Sequence, residues 1–255
     1  MNNNSFASGP FQTAGLIIVT AAFLFLFASC GNKEVKSETY DSEKYMALAR
    51  KQMDEKNYEE ARKTLFEVQN RDSSRKYAPL ARLRTAEAYI LDGEKDRGIE
   101  EYRKFIELYP DNENAPYAQY RIAMTYFEQI ESPDRGAGTA AKALLEFELL
   151  KRLFPRNPYN EAVDLRIKKC LDVIADGEYM VAEFYFKKDS YNAAKLRLEG
   201  LILKFPLYKD MDKALLLLGK SYKNLKMKDK AEETLTKLIE KFPSSKSASE
   251  AKKEL

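Results

Sequence analysis

Cys30 is the residue with the most definite chemistry in this chain. It closes the run Leu24-Phe25-Leu26-Phe27-Ala28-Ser29-Cys30, in which small residues stand directly before the sulfur. That order is the processing site of a bacterial lipoprotein: the thiol takes an acyl group, the bond before it is cut, and the cysteine becomes the new N-terminus. The apolar run from Ala14 to Ala28 is shorter than the about 20 residues that a spanning helix needs, which favours a cleaved signal. Phe27 stands where Leu is usual, and residues 1–13 hold no Lys or Arg, so an uncleaved anchor is the alternative. Gly31 follows the cysteine. In lipoprotein sorting generally, Asp at that place retains a protein at the inner membrane, so Gly points to the outer membrane.

Other chemistry is largely excluded. The 255 residues contain no His and no Trp. Without His there is no His-based triad and no His-ligated zinc. The second cysteine, Cys170, lies between Ile167 and Ile174 at helical spacing and is expected to be a small core residue. Ser, Asp, Glu and Lys form no nucleophile elbow, phosphate loop, dinucleotide fingerprint or metal spacing. The expectation is a non-enzyme with no cofactor and no metal. All 43 Lys+Arg and 40 Asp+Glu lie beyond residue 30, and the net charge is +3. So balanced a body gives no case for nucleic-acid binding, which shows as a clustered basic face.

The elements that must position any binding residues form a repeat array. Four aromatic-Pro pairs punctuate the body: Tyr109-Pro110, Phe154-Pro155, Phe205-Pro206 and Phe242-Pro243. Twelve residues before each proline stands a small residue, Gly98, Ala143, Ala194 or Ala231, and Ala61 precedes Gly98 by 37. Apolar residues recur three and four apart, as in Leu198, Leu201, Ile202 and Phe205, which makes one stripe on a helix. Proline then ends the helix, and a small residue lets a neighbour pack closely. Further helices are read at 78–91, 116–130, 159–187 and 211–225. Helix pairs at this period predict an all-α, tetratricopeptide-like (TPR-like) solenoid of about five pairs. The units are 41–73, 77–110, 116–155, 159–206 and 208–243, with 244–255 as a cap. Residues 1–29 read as signal and 30–40 as a lipidated cysteine with a polar tether. The helix 159–187 is unusually long and carries one glycine, Gly177, where a break is the plainer alternative. Residues 131–138 read as the most flexible loop.

Several stretches resemble the BamD (ComL) family, the lipoprotein component of the β-barrel assembly machinery. They are Tyr109-Pro110 with Asn114-Ala115-Pro116-Tyr117-Ala118-Gln119-Tyr120-Arg121, Phe154-Pro155-Arg156-Asn157-Pro158-Tyr159, and above all Val181 to Gly200. Two places depart from the pattern. Lys188-Asp189 replaces the family's Arg-Gly, and Gln69-Asn70-Arg71-Asp72 ends the first unit where Tyr-Pro is usual. The resemblance implies a lipid-anchored scaffold on the periplasmic face of the outer membrane. Its partners would be the POTRA region of a BamA-type barrel protein, unfolded outer-membrane proteins and other lipoproteins of the machinery. It assigns the BamA contact to Arg197.

A TPR solenoid holds extended peptides on the face lined by the first helix of each pair. Targeting strands of barrel proteins end in an aromatic residue and a carboxylate. Aromatic surface with guanidinium groups suits that ligand. The candidates are Tyr45, Arg50, Tyr77, Arg84, Tyr89, Tyr117, Tyr120, Arg121 and Phe127, any of which is alternatively inter-helix core. A periplasmic adaptor for envelope coordination or division, of the CpoB type, is the competing function. A TPR-bearing enzyme and a surface lipoprotein with an external ligand stand behind it.

Overall fold

The computed structural model describes residues 40–255, apart from the side chains of residues 133 and 134. Cys30, the signal and tether residues 31–39 lie outside that range. Eleven helices and no strand occur among the described residues. In chain order they are α1 (Ser42–Asp54), α2 (Tyr58–Arg71), α3 (Ala78–Leu91), α4 (Lys95–Leu108), α5 (Ala115–Phe127) and α6 (Pro133–Leu153). Then follow α7 (Asn160–Lys187), α8 (Tyr191–Lys204), α9 (Met211–Asn224), α10 (Lys228–Lys241) and α11 (Lys246–Glu254). The architecture is an all-α, TPR-like solenoid of five helix pairs, α1–α2 through α9–α10, with α11 packed against α9 and α10.

Four of the five pairs turn the same way, the exception being α5–α6 with its longer link at residues 128–132. The middle residue of the short link takes a left-handed φ: Lys56 at 61°, Gly93 at 88°, Asp189 at 57° and Lys226 at 60°. Such a φ folds the second helix back on the first. Asp tolerates it because its short polar side chain can bond locally. That is how Asp189 serves where the resembling family carries Gly. The exits are equally regular. Tyr109, Phe154, Phe205 and Phe242 leave the helix with φ between −134° and −124° and ψ between 52° and 66°, outside the α region that a following proline disfavours.

The first exit lacks Tyr-Pro and is built differently. Asp72 is buried, and its carboxylate accepts from Ser74 Oγ at 2.5 Å, Tyr77 N at 2.5 Å, Ala78 N at 3.0 Å and Ser42 Oγ at 3.3 Å. It thereby ends α2 and caps the free amides that open α3. Burial alone would raise the Asp72 pKa. The hydrogen bonds from Ser74, Tyr77, Ala78 and Ser42 outweigh it and hold the pKa below the ordinary carboxylate value.

The small residues do what close packing requires. Ala61, Ala143 and Ala194 are fully buried and Ala231 nearly so. At Gly98 an added Cβ would lie 2.5 Å from Ile90 Cδ1 and 3.0 Å from the Ala86 carbonyl oxygen. Overlapping apolar clusters join α1–α3, α3–α5, α5–α7 and α7–α11, so each pair shares its core with the next. Cys170 is buried in the third of these, and burial pushes its thiol up to about 11.

One expectation needs correction. Residues 131–138 are not a loop throughout, because α6 begins at Pro133 and carries both Gly136 and Gly138. Proline at the first turn starts the helix, and Gly136 packs where a Cβ would meet the Glu131 carbonyl oxygen at 2.8 Å. The long helix read at 159–187 is present without the alternative break at Gly177: α7 is one helix of 28 residues. No helix among the described residues is long and apolar enough to cross a membrane.

Candidate functional site

The first helices of the pairs line two adjoining clefts. One, of about 660 Å³, lies between α1 and α3 and is walled by Met46, Arg50, Met53, Leu80, Arg84 and Leu91. The next, of about 250 Å³, joins α3 to the starts of α5 and α7, with Arg84, Pro116, Tyr117, Pro158 and Tyr159. Arg84 belongs to both, and its guanidinium is held by Glu87 at 2.5 Å.

Beside these clefts sits an arginine–aromatic cluster. Arg121 on α5 stands beside Tyr102 and Tyr117. Tyr102 is completely buried, and its hydroxyl faces the Arg121 guanidinium, whose Nε has no acceptor among the described residues. Burial, then the neighbouring Tyr117, pushes the Tyr102 pKa upward. Arg166 on α7 lies over the Tyr120 ring at 5.7 Å and the Phe127 ring at 5.9 Å. One of its amines donates to the Ala162 carbonyl at 2.9 Å, and its Nε is buried without an acceptor among the described residues. Tyr120 stacks on Tyr159 with centroids 4.4 Å apart. Carboxylate is the ligand group whose geometry fits a guanidinium fork.

The nine predicted groove residues therefore divide. Arg50, Arg84 and Tyr117 line the clefts, and Arg121 adjoins them. Tyr120 and Phe127 pack against the α5–α7 core, where Phe127 meets Phe147 edge to face at 5.9 Å. Tyr77 packs on the α1–α3 core, and its hydroxyl donates to Glu43 at 3.3 Å. Tyr45 and Tyr89 line a different, polar cavity of about 1190 Å³ walled by α2, α3 and α4. There Tyr89 is clamped between Arg62 at 4.5 Å and Arg97 at 4.3 Å. Arg197 is exposed on α8 and pairs with Glu178 of α7 at 3.1 Å.

A family model described as YfiO, outer membrane lipoprotein, matches residues 37–237. The chain belongs to the YfiO family. It is 27% identical over 219 residues to the outer membrane protein assembly factor BamD of Neisseria gonorrhoeae, covering 82% of each chain. Against the protein of that name from Caulobacter vibrioides it is 25% identical over 242 residues, covering 93% of this chain and 78% of the other. Among solved structures, the TPR2AB-domain–pHSP90 complex of yeast Sti1 is similar at 15% identity with a TM-score of 0.46. That match covers 81% of this chain and 80% of the other.

Sequence reading of this YfiO-family chain missed Tyr102, Tyr159 and Arg166. Tyr102 lies on a second helix, whose register predicts only core. Arg166 sits in a charged stretch of α7 that reads as solvated surface. The visible signal was Tyr159, placed directly after Pro158 at a helix start, as Tyr117 is after Pro116.

Proposed function

We propose that this chain is a non-catalytic scaffold of outer-membrane protein assembly, anchored by lipid on Cys30 at the periplasmic face. Its first-helix face receives the C-terminal segment of unfolded barrel proteins. The end of α7 with α8 holds the POTRA region of a BamA-type barrel protein. Family membership supports the assembly role. The observation that carries the peptide reading is the cleft between α3 and the starts of α5 and α7, where Arg84 lies with Tyr117 and Tyr159 and Arg121 stands beside Tyr117. An aromatic side chain would bury against the rings while the terminal carboxylate met the arginines. The exposed Met180, Val181 and Phe184 near Arg197 support the second contact, since an apolar centre with an arginine is the usual make-up of an interface.

The direct test titrates the protein with a fluorescent peptide ending in phenylalanine, as free acid and as amide. The free acid should bind more tightly, and Arg121→Met should abolish the difference. Equal binding of acid and amide would remove the carboxylate reading. For the second contact, Arg197→Glu should reduce recovery of the barrel protein from solubilised envelopes while leaving the thermal melt unchanged.

A further inference from the structure

The four aromatic-Pro exits share one register, and the fourth unit breaks it at two positions. Three residues before proline stand Glu107, Arg152, Leu203 and Glu240; directly after proline stand Asp111, Arg156, Leu207 and Ser244. Only the fourth unit carries leucine, and it does so at both places. Neither leucine serves the core: Leu203 is 82% exposed and Leu207 is 87% exposed. The inward side of the same helix is ordinary, with Ala194, Leu198 and Leu201 fully buried or nearly so.

Beside these leucines lies an apolar cleft of about 480 Å³, within the about 300–1,000 Å³ usual for ligand pockets. Ile167 and Leu171 of α7 form one wall, and Phe205, Pro206, Leu207 and Tyr208 the other. Its rim carries four charges. Asp164 is engaged by Lys151, and Asp172 accepts from the Lys209 amide at 3.4 Å. Lys168 and Lys204 have no partner among the described residues. With Asp164 paired to Lys151, the rim keeps Asp172, Lys168 and Lys204, a balance positive by one charge around an apolar hollow of side-chain size.

We propose that this cleft docks an acidic amphipathic segment of a partner polypeptide. Leucine or phenylalanine side chains would enter the hollow against Leu207, Ile167 and Leu171, with Leu203 next to the rim residue Lys204, and carboxylates would meet Lys168 and Lys204. A polypeptide fits better than an anionic bilayer, because it can set carboxylates at Lys168 and Lys204 and leave Asp172 facing none, whereas a bilayer presents negative charge to the whole rim. The surface is separate from the arginine–aromatic cluster and stands whether or not that cluster binds carboxylate.

The test uses the full chain and two labelled amphipathic peptides with Leu and Phe along one face. One carries Asp and Glu on the other face, the second Lys. Vesicles of phosphatidylglycerol form a third arm. The acidic peptide should bind, and the double variant L203E/L207S, which installs what the fifth unit carries, should weaken it about tenfold or more. K168E/K204E should do the same, and R121M should change nothing. Equal binding of the acidic and basic peptides would overturn the proposal. So would indifference to L203E/L207S, or binding of vesicles in place of the acidic peptide.

Discussion

Helices α8 and α10 are the same element used twice. Each is the second helix of its pair, each starts from a small residue twelve before proline, and each ends at Phe-Pro. Their inner faces match: Leu198 and Leu201 of α8 correspond to Leu235 and Leu238 of α10, all at most 1% exposed. Their outer faces do not match. Where α8 presents Leu196, Gly200 and Leu203, α10 presents Glu233, Lys237 and Glu240. A repeat core and a recognition surface are thus written on opposite sides of one helix, and the second varies without disturbing the first.

The strongest way to break this comparison is to damage the matched side. Leu198→Ala and Leu235→Ala should each cost roughly 2–5 kcal/mol, by lost burial plus the cavity left behind. Chemical denaturation should show similar losses for the two, and a large inequality would mean the inner faces are not equivalent. Next in size is Asp72, which replaces the aromatic exit used elsewhere. Asp72→Ala removes four accepted hydrogen bonds and should cost about 1–3 kcal/mol at neutral pH. Because the folded pKa lies below the unfolded value, this contribution is complete above the unfolded pKa. It fades as pH falls through the folded one. The gap between wild type and variant should therefore close in acid, and a gap constant from pH 7 to strong acid would exclude the carboxylate as its source.

Smaller changes sharpen the contrast on the outer side. L203E/L207S should shift stability by no more than about 0.5 kcal/mol, since both side chains face water. The reverse pair, E240L/S244L, should leave the melt near wild type and make the chain self-associate, read by sedimentation. The smallest effect belongs to the cap. Lys220 pairs with Glu250, and Lys223 with Glu254 at 2.8 Å, tying α9 to α11. Exchanging Lys223 for Met should cost ~0.2–1 kcal/mol, and the loss should shrink at high salt.

Most of the helices were legible because their cause is local. A stripe at helical spacing and Pro79 in the first turn place α3 at Ala78–Leu91 without reference to any other part. Where competing local signals met, reading failed: the glycines of residues 131–138 suggested a loop, but packing of Gly136 against Glu131 settled it as helix. The binding residues were legible as types and not as a set. Tyr89 and Tyr117 look alike in sequence, yet one faces the α2–α4 cavity and the other the first-helix cleft.

The sequence by itself determined the repeat period, the helix pairs, the family and the odd leucines at Leu203 and Leu207, because each depends on spacing along one segment. Only the tertiary structure brought Arg121, Tyr102 and Arg166 into one cluster and opened the hollow between α7 and the α8–α9 turn. Those depend on the angle at which successive pairs stack. That angle is set by side-chain contacts between helices far apart in the chain, which local periodicity does not encode.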